Sequence, residues 1–117
     1  MKTAIGCDIE DISRFEDRPD AFLRKIYTEG ELTYCLSKKR PAKHLAARFC
    51  AKEAVVKALC ALGIEGVFYA DVDILRAENG VPSVRLTKDV GVSVVFSLSL
   101  SHSKTTAMAT VLATING

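Results

Sequence analysis

The sequence predicts an α+β domain in which a long central helix packs on a mostly antiparallel sheet. Three observations support this fold class. An apolar strand opens the chain, a long helical signal runs from about residue 41 to 62, and a period-two alternation of apolar residues follows Gly66. One strand, then helices, then a run of antiparallel strands is the order expected of an α+β domain.

Length and composition indicate a single domain over residues 1–117. The chain has 117 residues, of which 49% are hydrophobic and 26% are charged, and these fractions exclude global disorder. The net charge of +2 does not indicate nucleic-acid binding, which requires a clustered basic excess. No apolar run approaches the ~18 residues of a transmembrane helix, and the early Asp8 argues against a signal peptide. We therefore expect neither a nucleic-acid nor a membrane partner, while the small size leaves oligomerisation open.

The first 40 residues predict one strand and short helices. Residues 2–9 form a strand in which Gly6 allows another backbone to approach closely. Two short stripes at helical spacing lie on either side of Pro19 and consist of Ile12, Phe15, Phe22, Leu23 and Ile26. The segment 28–31 has the Thr-x-x-Glu form of a capping box and starts a further helix, whose last turn would carry the cations of 38–40.

The central helix is predicted from Pro41 or Ala42 to Leu62, with Gly63 as its C-terminal cap. One apolar face collects Leu45, Phe49, Val56, Leu59 and Cys60, and alanines fill much of the remainder. Glu53 projects about 40° from Phe49 and about 20° from Cys60 on a helical wheel, inside this apolar arc. A carboxylate in such a place invites a functional explanation.

The last third predicts antiparallel strands. A hairpin joins the strand with Val72 and Ile74 to the strand with Val84 and Leu86, and Asn79-Gly80 supplies its turn. A longer strand alternates over 92–100 and ends at Ser101-His102-Ser103. The apolar segment 107–115 is expected to be its antiparallel neighbour.

The four cysteines predict neither disulfides nor a zinc site, because they form no Cys-x-x-Cys pair. Cys35, Cys50 and Cys60 lie in apolar, helix-like surroundings, where a free cysteine behaves as a small hydrophobe. We interpret them as reduced core residues of a cytoplasmic protein.

A few polar residues are candidates for chemistry, and each has two interpretations. Asp8 and Glu53 are suited to Mg²⁺, although Asp8 is equally explained as a strand-end cap and Glu53 as the helical partner of Lys57. Arg48, Lys52 and Lys57 either clamp phosphates or form a solvated helix edge. His102 either binds a phosphate or shuttles a proton, or it makes one structural hydrogen bond.

These residues also carry a family resemblance. The N-terminal Ile5-Gly6-Cys7-Asp8-Ile9, followed by Arg14-Phe15, resembles the signature of holo-acyl-carrier-protein synthases. Residues 44–59, with their RFxxKEAxxKA core, resemble the central block of that family. Gly80-Val81-Pro82 and the Ser-x-Ser-His segment 99–102 match its later elements in the same order. The chain is thus similar to this family over nearly its whole length.

The resemblance implies a 4′-phosphopantetheinyl transferase fold and activity: coenzyme A donates its phosphopantetheine arm to a serine of apo acyl carrier protein, and 3′,5′-ADP leaves. It implies that Asp8 and Glu53 bind Mg²⁺ and that Lys57 contacts the CoA pyrophosphate. The nucleotide end would be bound by Arg48, Gly80, Pro82 and His102. The carrier protein would be met by the basic residues Arg14, Arg18, Arg24 and Lys25. It further implies a homotrimer with sites between subunits, and it leaves Glu53 and a metal-bound water as alternative acceptors of the serine proton.

The sequence differs from the family pattern at two places. Cys7 replaces a residue that is usually aliphatic, and the connection 87–91 is short where family members commonly have a further helix. The second feature supports a rival hypothesis, a non-catalytic module that binds CoA or a nucleotide. A plain structural domain is a third hypothesis, and it leaves the clustered motifs unexplained.

Overall fold

The computed structural model describes residues 1–116. Its strands are β1 (Lys2–Asp11), β2 (Val72–Arg76), β3 (Pro82–Leu86), β4 (Val94–His102) and β5 (Thr106–Ile115). Its α-helices are α1 (Asp20–Ile26), α2 (Glu29–Leu36) and α3 (Pro41–Ala61), and 3₁₀ turns span Ile12–Phe15 and Tyr69–Asp71. The predicted α+β class is confirmed. None of the helices in this described part is long and apolar enough to cross a membrane.

The strands form two antiparallel sheets. The larger has the order β1-β5-β4, so the last strand of the chain lies between the first strand and β4. The smaller is the predicted hairpin of β2 and β3, with Gly80 in its turn at φ 85°. Strand β4 begins at Val94 rather than Val92, whose exposed side chain lies before the ladder starts.

The larger sheet has one covered and one open face. Ala107, Ala109, Val111 and Ala113 of β5 are fully buried against α3, while the alternate residues of β5 face away from the helix. The open face displays large apolar side chains, namely Ile5, Ile9, Val95, Met108 and Leu112. Their strand register places Ile5 beside Leu112 and Ile9 beside Met108.

Small residues let α3 lie very close to β1. A Cβ added at Gly6 would come within 1.8 Å of the Ala54 carbonyl oxygen and 3.1 Å of the Ala58 nitrogen. The close approach predicted for Gly6 is therefore confirmed. It fixes the distance between the strand that carries Asp8 and the helix that carries Glu53 and Lys57.

The prediction of which face of α3 is buried was wrong in part. The helix is enclosed from Ala42 onward on most sides, but Val56 is half-buried and both Lys57 and Cys60 are exposed. The open stripe is thus the one that contains Glu53. The buried face consists largely of alanines, because their small side chains allow the sheet to approach the helix backbone. Cys60, expected in the core, lies at the surface, whereas Cys35 and Cys50 are buried as expected.

The predicted capping box of α2 is confirmed, but the expected charges at its other end are not. Thr28 Oγ1 accepts from the Glu31 amide at 3.3 Å, and Glu31 Oε1 accepts from the Thr28 amide at 2.7 Å. The helix ends at Leu36, and its last turn holds no basic residue. Lys38 lies beyond it, so it is free to contribute to a neighbouring cavity.

Candidate functional site

Asp8 and Lys57 meet where β1 passes α3. The ammonium Nζ of Lys57 lies 3.3 Å from Asp8 Oδ1 and donates to the Cys7 carbonyl at 3.0 Å. The other carboxylate oxygen of Asp8, Oδ2, is buried and accepts no hydrogen bond from any residue in 1–116. Because an unpaired buried acceptor is costly, this oxygen is available for a ligand that supplies positive charge.

Glu53 lies one helical turn before Lys57 and is held by an aromatic hydroxyl. Tyr69 donates from its hydroxyl to Glu53 Oε1. That hydrogen bond, followed by burial and by the charges of Asp8 and Glu10, raises the pKa of Tyr69 to about 12. The hydroxyl therefore stays protonated and remains a donor. Tyr69 was not predicted from the sequence, because it lies in a stretch with no periodic signal.

A third carboxylate, Glu10, belongs to the same cluster. Its pKa is raised, first by burial and then by the neighbouring Asp8 carboxylate, although Arg14 opposes the shift. Within residues 1–116, however, no three His, Cys, Asp or Glu side chains are arranged to hold a metal without other ligands. The cluster can supply carboxylate oxygens but not a complete protein cage.

The strand register brings His102 to the same end of the sheet. Glu10 and His102 both pair with Ala107, from opposite sides of β5. Two strand spacings separate them, roughly 10 Å, and cross-strand partners point to the same face. The carboxylate cluster and His102 are thus neighbours on the face that α3 covers.

His102 also lines a cationic cavity of about 540 Å³ between α3, β4 and the β2–β3 hairpin. Four residues predicted to contact the nucleotide lie together in its wall: Arg48, Gly80, Pro82 and His102. The wall also holds residues that the sequence analysis did not assign to it: Tyr34, Lys38, Lys43, His44 and Arg76. None of the described lining residues is acidic.

Arg48 lies at the inner side of this cavity. Its side chain is almost completely buried, and its guanidinium carbon lies 4.1 Å from the centre of the Tyr34 ring. Its Nε finds no acceptor among residues 1–116. The nearby cations and burial also act on His44, whose pKa is lowered, with burial as the larger cause. The cavity is therefore short of negative charge, as expected of a phosphate site.

The structure excludes Lys52 from phosphate binding. Its side chain is fully buried, and Nζ forms an ion pair with Glu31 at 2.7 Å. It also donates to the carbonyl oxygens of Tyr69, at 2.9 Å, and Val72. Both earlier interpretations of Lys52, a phosphate clamp and a solvated edge, were wrong because periodicity does not reveal a second buried face of a helix.

The basic residues proposed to meet a carrier protein lie on and before α1. Arg24 is exposed and pairs with Asp20 at 2.9 Å and Glu29 at 3.5 Å, and the neighbouring Lys25 is exposed as well. Arg18 lies over the Phe22 ring at 5.4 Å. Arg14 differs from these three because it pairs with Glu10 of the carboxylate cluster.

Comparison with known proteins places the chain in a family. Residues 4–111 match the sequence model of the 4′-phosphopantetheinyl transferase superfamily. The chain belongs to this superfamily. It is 44% identical over 91 residues to the holo-[acyl-carrier-protein] synthase of Protochlamydia amoebophila, covering 74% of this chain and 75% of that protein. It is 39% identical over 117 residues to the synthase of Moorella thermoacetica, covering 92% and 90%.

A solved transferase structure supports the same assignment. The holo-(acyl-carrier-protein) synthase of Bacillus anthracis, crystallised in complex with CoA (3′,5′-ADP), superposes with a TM-score of 0.80. It is 30% identical, and the match covers 97% of this chain and 96% of that one. The expected fold family is thereby confirmed. The departure predicted at 87–91 is also present, since these residues form bends and irregular backbone instead of a helix.

Proposed function

We propose that this chain transfers the 4′-phosphopantetheine arm of coenzyme A to a serine hydroxyl of an apo acyl carrier protein and releases 3′,5′-ADP. One observation carries the proposal: the same end of one sheet holds a carboxylate cluster with a free buried oxygen and, beside it, a cationic cavity. The names of the relatives, and the CoA bound by the Bacillus anthracis synthase, agree with it.

The cationic cavity is suited to the nucleotide end of CoA. The cations of its wall are Lys38, Lys43, Arg48 and Arg76. Their counterpart in CoA is the 3′-phosphate, which is the most exposed dianion of that ligand. Arginine is well suited to a phosphate because its planar donors match two oxygens at once. Tyr34 and the apolar edge of Pro82 offer surfaces against which an adenine ring can pack.

The residues at the carboxylate cluster fit a magnesium ion. Asp8 Oδ2 is buried without a donor among the described residues, and Glu53 keeps one oxygen free of Tyr69. Magnesium is commonly bound by one or two carboxylates together with substrate phosphates, which agrees with a cluster that is incomplete by itself. Asp8 and Glu53 would therefore hold Mg²⁺, which when bound neutralises charge on the pyrophosphate.

Lys57 supplies the second positive charge at this position. Its side chain is about half exposed and its ammonium is oriented by Asp8 and the Cys7 carbonyl, so it can contact a pyrophosphate oxygen. In the reaction, the serine oxygen bonds to the phosphorus next to pantetheine, and the bond from that phosphorus to the ADP oxygen breaks. Lys57 stabilises the charge that develops on this leaving oxygen. Glu53 and a water at this position are the two candidate acceptors of the serine proton.

The carrier protein is expected to approach α1. Arg18, Arg24 and Lys25 present exposed cations there, and Arg14 links this surface to the carboxylate cluster through Glu10. An acidic helix of the carrier protein would complement these charges, which raises the rate of encounter. The docking surface then lies next to the reacting phosphate.

The open face of the large sheet is suited to a homotrimer. Ile5, Ile9 and Val95 are 68%, 65% and 67% exposed, and Met108 and Leu112 lie between them on β5. A contiguous apolar patch of this kind usually marks a protein interface. Three copies that pack these faces together would cover the patch.

Reducing conditions suit the protein, and we propose a cytoplasmic location. All four cysteines, each in the described part of the chain, are free thiols. Burial raises the pKa of Cys35 to about 11 and that of Cys50 to about 12, so both stay protonated and unreactive.

The alternative, a non-catalytic module that binds CoA, is favoured by the missing helix at 87–91. The two functions are separated by incubating the protein with CoA, Mg²⁺ and an apo carrier protein and then weighing the carrier. Transfer increases its mass by one phosphopantetheine arm. Calorimetric binding of CoA without any mass increase would support the module instead.

A further inference from the structure

Tyr69 joins the carboxylate cluster to the buried core. It lies in the 3₁₀ turn between α3 and β2, and its ring packs on Phe49 with the centroids 5.3 Å apart. Its hydroxyl donates to Glu53 Oε1. The side chain is half-buried and does not line the cationic cavity, so it contacts Glu53 without projecting toward that cavity.

The backbone of Tyr69 is held by the residue that precedes Glu53. Lys52 donates from Nζ to the Tyr69 carbonyl at 2.9 Å and to the Val72 carbonyl, which fixes both ends of the 3₁₀ turn. Lys52 is in turn neutralised by Glu31 at 2.7 Å, and both side chains are fully buried. Glu31 also accepts from the Ile74 amide at 2.8 Å, so the pair is tied to β2 as well.

These contacts form a chain of hydrogen bonds that begins and ends on α3. Lys52 and Glu53 are adjacent in sequence but point to different sides of the helix. Lys52 holds the Tyr69 backbone from inside the core, and the Tyr69 hydroxyl returns to Glu53 at the surface. A glutamate side chain has several rotamers, and a hydrogen bond to one oxygen restricts them. The position of the other carboxylate oxygen is restricted with it.

We propose that Tyr69 is a positioning residue for Glu53, and that the buried Lys52–Glu31 pair sets the position of Tyr69. This inference rests on the proposed metal-dependent transfer. Without the hydroxyl, the Glu53 carboxylate samples several rotamers and must be ordered when the metal binds. Residues that orient a metal ligand in this way commonly change metal affinity or activity roughly 10–100-fold when they are replaced.

Tyr69→Phe tests the proposal, because it removes the hydroxyl and keeps the ring that packs on Phe49. We expect the Mg²⁺ concentration needed for half-maximal transfer to rise at least about tenfold. A second measurement does not depend on activity: calorimetry of CoA binding with and without Mg²⁺. We expect the gain in CoA affinity produced by Mg²⁺ to shrink in the variant, while CoA affinity without metal stays unchanged.

Tyr27→Phe is the matched control. It removes a tyrosine hydroxyl that donates to the Leu45 carbonyl at 2.7 Å in the core, and it keeps the ring that lies 5.9 Å from Lys52 Nζ. We expect it to lower thermal stability without changing the Mg²⁺ requirement. A Tyr69→Phe protein with the wild-type Mg²⁺ requirement and the wild-type gain in CoA affinity would overturn the positioning role alone. A wild-type protein whose CoA binding and transfer are indifferent to Mg²⁺ would overturn the metal site and this inference together.

Discussion

Replacing Gly6 by alanine tests how the fold sets the geometry of the site. The new Cβ would lie 1.8 Å from the Ala54 carbonyl oxygen, and ordinary contacts begin at 3.4 Å. Strand β1 and helix α3 must therefore separate by about 1.6 Å, because neither backbone can yield as a flexible side chain does. Inserting a methyl group into a packed interior commonly costs about 1–3 kcal/mol. For a chain of this size, each kcal/mol lowers the melting temperature by about 4 °C.

We therefore expect Gly6→Ala to melt roughly 4–12 °C below the wild-type protein in a circular dichroism scan. Transfer should fall more than stability suggests, because the same displacement carries Asp8 away from Glu53 and Lys57. Gly30→Ala is the control. Nothing lies within 4 Å of a Cβ at Gly30, so this helical substitution should be neutral or stabilising by about 0.4–1 kcal/mol. If Gly6→Ala melts and reacts as the wild-type protein does, the close packing of β1 on α3 is refuted.

Three further substitutions test separate surfaces. Ile9→Glu places a charge in the exposed apolar face of the sheet. If the proposed trimer forms, light scattering should give the mass of three chains for the wild type and of one chain for the variant; equal masses for the two proteins would contradict this interface. His44→Gln tests a pH effect on stability. Burial and nearby cations lower the pKa of His44 in the folded protein. As the pH falls through and below 6.5, the unfolded chain therefore takes up a proton before the folded chain does. The free energy of unfolding of the ligand-free protein, measured by chemical denaturation, should thus decline with falling pH, and less steeply in the variant. Equal declines in the wild type and the variant would argue against the lowered pKa of His44. Lys25→Glu reverses an exposed charge of α1. It should weaken binding of the carrier protein about fivefold and leave CoA binding unchanged. An equal loss of affinity for both ligands would exclude this docking surface.

Local signals predicted the elements well. Pro41 and Gly63 bracket α3 as expected, and Thr28 with Glu31 starts α2 through a capping box. The apolar segment 107–115, which follows the alternating strand 92–100, predicted β5 and its pairing with β4. These features depend on residues close together in sequence, so one chain is enough to recognise them. The central position of β5, between β4 and β1, depends on long-range pairing and was not predicted.

The hydrophobic pattern of α3 predicted its burial only in part. The central helix was expected to be apolar around most of its circumference, and α3 is indeed enclosed on most sides, but its open stripe is the part that contains Glu53 and Lys57. Alanine-rich faces give a weak hydrophobic signal, although their small size is what allows close packing. The burial of Lys52 was not predicted for a related reason. Its partner Glu31 lies 21 positions earlier in the sequence, and only folding brings the two charges together and so explains a buried cation.

The candidate site was predictable where the family motif reached it. The resemblance named Asp8, Glu53, Lys57 and His102, and the roles that it implies for them remain proposals. Tyr69 and Lys43 were missed because each lies outside the recognised roles of the motif and becomes relevant only through its neighbours in space. Contacts of that kind cannot be read from the spacing of residues.

Glu53→Ala offers the most direct test of the central claim, that the carboxylate cluster performs the transfer. Wild-type protein and the variant are each incubated with CoA, Mg²⁺ and an apo carrier protein, and the carrier is weighed over time. Because Glu53 is only half-buried, the variant should fold and melt nearly as the wild type does. We predict that it adds phosphopantetheine at least about 100-fold more slowly. A correctly folded variant that modifies the carrier at the wild-type rate would contradict the account.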